Sequence, residues 1–101
     1  MRDPKEEARN LVAVALGGLI GREFRAEGLL ERLIEELEKR LKETSGDCRI
    51  LLSGSSLTES RGRVGRVYFA EVVVSCGEQL VFSRIYLDIV NYVRVTGIRA
   101  E

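Results

Sequence analysis

Up to Glu43 the apolar positions of the chain recur three and four apart, and beyond Asp47 they alternate with polar ones. The first pattern predicts helices and the second predicts strands. Ala8, Leu11, Val12, Ala15, Leu16 and Leu19 form one stripe of a helix expected over residues 4–20. Asp3 marks its start as a cap, Pro4 suits the first helical position, and Glu6 stands where a capping-box acid belongs. Ala13, Gly17 and Gly21 make a second row four apart. Two readings of that row are open: small residues that admit a close backbone, or glycines that fray and end the helix. Each glycine inside a helix costs about 1 kcal/mol.

A second helix is expected over residues 27–43, with Leu30, Leu33, Ile34, Leu37 and Leu41 on its buried side. Glu35 with Lys39, Glu36 with Arg40, and Glu38 with Lys42 are acid-before-base pairs on its solvated side. Gly46 is a natural C-terminal cap.

Val, Ile, Tyr and Phe then dominate, and strands are expected over 48–58, 64–76, 79–90 and 92–99. Gly77 begins a two-residue turn between Cys76 and Gln79, as a tight hairpin requires. Folding there sets Val74 opposite Val81, Val72 opposite Ser83, Ala70 opposite Ile85 and Tyr68 opposite Leu87. The same register brings Val73 to Phe82, Glu71 to Arg84 and Phe69 to Tyr86, so that an ion pair and an aromatic pair fall across from each other. A turn centred on Gly62 places Ile50 opposite Val74, Leu52 opposite Val72, and Cys48 opposite Cys76. The two cysteines are therefore a candidate cross-strand disulfide, the alternative being two buried thiols. The polar run Ser53–Ser60 reads equally as strand or loop.

This register gives the sheet two apolar faces. Ile50, Leu52, Tyr68, Ala70, Val72, Val74, Val81, Ile85, Leu87 and Ile89 make a floor for the helices. The other face carries Leu51, Leu57, Val67, Phe69, Val73, Leu80, Phe82, Tyr86 and Val90, interrupted by Glu71, Arg84 and Asp88. A two-layer monomer normally turns a polar face to water. The last segment, Tyr92 to Arg99, also overruns its partner and is expected to leave an unpaired edge unless Asn91 bends it into a further strand.

Composition narrows the functions. The chain has 101 residues, enough for one domain, and 45% are apolar. Sixteen basic and sixteen acidic residues leave no net charge, which argues against a protein dedicated to coating nucleic acid. There is no His, and two cysteines are too few for a zinc site, so no metal or cofactor is expected. The longest apolar run, Leu11 to Gly21, is too short to span a membrane. The acidic start is unlike a secretory leader, and a soluble, cytoplasmic protein is expected. Abundant Glu and Arg with few thermolabile residues is a hyperthermophile habit.

The expected fold is α+β: two N-terminal helices packed on a three- to four-stranded antiparallel β-meander in a single domain. The expected role is a non-catalytic interaction module that forms a homo-oligomer, with a hetero-partner protein as a further option. Its interface residues would be Phe69, Phe82, Tyr86, Val90 and Tyr92. A helix crossing to cover that face is the simpler structural alternative. Single-stranded nucleic acid is the alternative ligand, bound by the sheet aromatics with Arg61, Arg63, Arg66, Arg84 and Arg94. A metal-dependent nuclease using Glu59, Glu71 and Asp88 is the least favoured reading.

Overall fold

Helix α1 (Pro4–Gly17) starts at its expected cap. Asp3 is extended, with φ −72° and ψ 120°, and its Oδ1 accepts a hydrogen bond from the Lys5 amide at 3.0 Å. The helix ends at Gly17 rather than running to residue 20. The Leu19 amide donates to the Leu16 carbonyl at 2.9 Å and the Ile20 amide to that of Gly17 at 3.3 Å, closing tighter turns on the last carbonyls. Gly21, at φ 84°, then directs the chain into the short strand β1 (Glu23–Phe24). The glycines thus end the helix. A Cβ on Gly17 or Gly21 would meet nothing within 4 Å, so the close-approach reading of that row fails.

The computed structural model describes residues 3–44, 47–62, 65–89 and 92–101, with the backbone alone described at Ser60, Gly62, Gly65 and Arg66. Helix α2 (Leu29–Thr44) buries Leu29, Leu33, Ile34, Leu37 and Leu41. Leu29 takes the inward place expected of Leu30, which is half-buried at the core margin. Glu36 bridges two arginines, Arg40 one turn on at 3.6 Å and Arg22 at 3.4 Å, tying the segment after α1 to α2. Gly46 lies outside the described residues.

Four long strands follow: β2 (Cys48–Gly62), β3 (Gly65–Cys76), β4 (Gln79–Ile89) and β5 (Val93–Ala100). The sheet order is β1-β5-β4-β3-β2, antiparallel throughout. The fold is α+β as expected, with five strands rather than three to four. The unforeseen strand is β1, whose two residues are too few to show alternation. The β3–β4 register runs from Tyr68–Leu87 to Cys76–Gln79, as the Gly77 turn predicts, and Gly77 adopts φ 60°.

Strand β2 departs from expectation after Leu51. Cys48 faces Cys76 and Ile50 faces Val74, but Leu51–Val73 is followed by Ser56–Glu71, so residues 52–55 stand against Val72 alone. This bulge takes Leu52 off the core face, where it is 67% exposed, and moves Leu57 to the helix side, opposite Ala70. It also moves the hairpin closure to Gly62–Gly65, beyond the turn expected at Gly62. The polar run Ser53–Ser60 is strand.

The overrunning segment forms a further strand, the alternative left open at Asn91. Strand β5 folds back on β4, from Ile89–Val93 to Ser83–Ala100, with a bulge between Tyr86 and Leu87. Its other edge is taken near Val93 and Arg94 by β1, and the Gly21 amide extends this pairing to the Val95 carbonyl at 2.8 Å. Val90 and Asn91 lie outside the described residues.

Both helices pack on one side of the sheet, α1 over β4 and β5 and α2 over β2. Val12, Leu16, Leu33 and Leu37 meet Val72, Val74, Val81, Ile85, Val93 and Val95 in one continuous core. Neither helix crosses to the other side, which removes the covering-helix alternative for the described residues.

Candidate interaction face

The sheet face turned away from the helices is organised in rows by the strand register. Leu51, Val73 and Phe82 stand across from one another, and backbone bonds of 3.1 and 2.8 Å between Phe82 and Glu101 add the last residue to that row. The next row is Ser56, Glu71, Arg84 and Arg99, and the third is Thr58, Phe69, Tyr86 and Gly97. One apolar, one charged and one aromatic band therefore cross the four long strands.

Arg84 is the hub of this face. Its Nη2 lies 3.2 Å from Glu71 Oε1, and its guanidinium carbon sits 4.6 Å from the centre of the Phe69 ring. Its pKa lies above the ordinary arginine value, first through a hydrogen bond with Tyr86, against some desolvation, and then through the Glu71 carboxylate. Phe69 and Tyr86 contact each other with centroids 6.1 Å apart and planes tilted by 56°. Capped by Arg84 and flanked by Tyr86, Phe69 is only 8% exposed although no helix covers it. It supports the face from beneath.

Phe82 is 58% exposed and Leu80, two residues earlier on the same side, is 47% exposed. Beside Phe82 lies a hollow of about 470 Å³. Its walls are Gly54 of the β2 bulge on one side and Arg99 and Glu101 on the other, with Val73, Glu71 and Arg84 below. Gly54 is there for want of space: a Cβ would lie 2.7 Å from Val73 Cγ2. Gly54→Ala should therefore cost roughly 1–3 kcal/mol of stability by overpacking, read as a lower melting temperature. A melting temperature at or above the parent value would mean the bulge is not pressed on Val73.

The residues singled out in the sequence are dispersed differently. Tyr86 is half-buried beside Phe82's strand neighbours, whereas Tyr92 is exposed in the bend before β5, at the other end of β4 from Phe82. Val90 is outside the described residues. Of the arginines, Arg61 is exposed on β2, Arg63 is outside the described residues, and Arg66 is described only through its backbone pairing with Arg61. Arg94 is exposed between Glu23 and Asp88 on its neighbouring strands, and Arg99 pairs with Glu101. Glu59 stands opposite Tyr68 on the helix side of the sheet, away from Glu71 and Asp88. No three acidic or cysteine side chains among the described residues are grouped to hold a metal. Cys48 and Cys76 are joined by a disulfide, with Cα atoms 4.1 Å apart.

The places of Gly54, Arg99 and Glu101 around this hollow were not legible in the sequence. Their places depend on the two bulges, and neither bulge leaves a mark in the apolar alternation. Comparison of the chain with protein-family models, with curated proteins and with solved structures found no match. Among the described residues no helix is long and apolar enough to cross a membrane.

Proposed function

We propose that the protein is a non-catalytic interaction module that self-associates through the sheet face opposite its helices. One observation carries this reading: both helices lie on one side, and the other side leaves Phe82 and Leu80, on the same side of β4, and Val67 on β3 open to solvent. Fully burying one such side chain stabilises by roughly 1.5–3 kcal/mol, and contiguous apolar exposure on a soluble chain marks a contact surface. A formal net charge of zero leaves no long-range repulsion to keep two copies apart. Phe82 is the centre of the interface, with Tyr86 beyond Arg84 on the same strand and Phe69 beneath Arg84. Tyr92 belongs to the margin. A hetero-partner would use the same surface.

The reading places the module in the cytoplasm, where a lasting disulfide is a habit of hyperthermophile proteins. A chain rich in Glu and Arg and free of His and Trp agrees with that setting.

Hydroxyl-radical footprinting at high and low protein concentration tests which face is used. Oxidation of Phe82 should fall as concentration rises, while Ile20, 52% exposed near the end of α1, stays unchanged. Equal oxidation of Phe82 at both concentrations overturns the reading.

A further inference from the structure

We infer that two copies stack face to face about a two-fold axis running along the seam between β3 and β4, so that Arg84 of each copy pairs with the partner's Glu71. This rests on the self-association reading and supplies its geometry. A two-fold interface must be self-complementary, with each feature and its complement equally far from the axis on opposite sides. Residues directly opposed on β3 and β4 straddle the seam in that way. Rotation about a line parallel to the strands and midway between them exchanges their positions.

The register supplies three such pairs on this face: Val73 with Phe82, Glu71 with Arg84, and Phe69 with Tyr86. Each is complementary. The exposed Phe82 ring meets the partner's hollow over Val73, the guanidinium meets the partner's carboxylate, and Tyr86 lies across from the partner's Phe69, which stays beneath its own Arg84. Two Glu71 and two Arg84 groups then alternate in a ring across the axis, each carboxylate between two guanidiniums.

The competing axes fail on the same register. An axis along the charged row would set Arg84 on the partner's Arg84 and Arg99 on the partner's Arg99. An axis on the β4–β5 seam would set Arg84 on the partner's Arg99, because those two residues are directly opposed, and Phe82 on the partner's Glu101. An axis on the β2–β3 seam leaves Phe82 away from the centre. Like charges brought together across an interface are strongly disfavoured, and in the arrangement inferred the charges select the register while Phe82 supplies the affinity.

Charge reversal in two separate chains tests this. Arg84→Glu puts four carboxylates in the ring and Glu71→Arg puts four guanidiniums there. Each variant alone should self-associate roughly a hundredfold more weakly or worse. Mixed in equal amounts they should regain opposite charges across the axis at both positions and form a mixed dimer, detected by native mass spectrometry. Both side chains are more than two-fifths exposed, so each variant should keep the parent circular dichroism.

If Arg84→Glu fails to fold, the conservative Arg84→Lys serves instead. Carbodiimide coupling should then yield a covalent dimer linked between positions 84 and 71. A mixture that stays monomeric, single variants that keep the parent mass, or covalent dimers linked only elsewhere would overturn the axis while leaving self-association standing. A parent chain that is monomeric at every concentration would instead remove the reading on which the axis rests.

Discussion

Phe82→Glu should leave the protein folded and abolish its self-association. Phe82 lies on the solvent side of β4, between Val81 and Ser83, which point into the core, and it takes no part in the helix-side cluster. Exposed substitutions away from caps, cavities and buried networks usually change stability by no more than about 0.5 kcal/mol. The assembly feels the change twice, once for each copy. Losing the burial of one Phe removes roughly 1.5–3 kcal/mol, and a carboxylate placed against an apolar hollow adds a desolvation cost. At about 1.4 kcal/mol per factor of ten, the dimer should weaken at least roughly a hundredfold. Sedimentation velocity reads the loss and thermal unfolding reads the unchanged chain. A variant that keeps the parent mass and instead loses several kcal/mol would show that Phe82 is an internal residue.

Removing the disulfide should have the largest effect on stability. Cys48 and Cys76 close a loop with a sequence separation of 28, for which chain entropy predicts about 3.5 kcal/mol. For a domain of this size each kcal/mol moves the melting temperature by roughly 4–8 °C, so Cys48→Ala with Cys76→Ala should melt on the order of 15–25 °C lower. The bridge pins the start of β2, the edge strand, to β3, and lies under the first turns of α1, where Ala8 and Leu11 face it. Thiol titration in denaturant without reductant should find no free thiol. Two free thiols, or a double variant that melts with its parent, would contradict the bridge.

The parts of the fold legible in the sequence are those whose physics is local. The β3–β4 register follows from one glycine able to take a positive φ at the turn and from uninterrupted alternation on both sides of it. A turn centred on Gly62 predicts the cysteine pairing, although the hairpin closes further along the chain. The residues added in the bulge at 52–55 shift the hairpin closure beyond Gly62, so the strand is in its expected register only between Cys48 and Leu51. Ser53, Gly54, Ser55 and Ser56 carry no apolar alternation that could have revealed the insertion.

Leu19 misled in the opposite direction. It is fully buried and falls on the helical stripe, yet it reaches the core from a turn after the helix has stopped at Gly17. In the candidate site the Glu71–Arg84 and Phe69–Tyr86 pairs were legible because cross-strand partners follow from register alone. The burial of Phe69 was not, since it depends on where the long Arg84 side chain lies once the sheet has formed.

The central claim, that the uncovered sheet face joins copies of this chain, is tested most directly by molar mass from light scattering over a wide concentration range at moderate salt. The mass should rise with concentration to twice the 11.3 kDa of one chain, with Phe82→Glu remaining at the single-chain value throughout. A parent protein that stays at 11.3 kDa at every concentration would contradict the account.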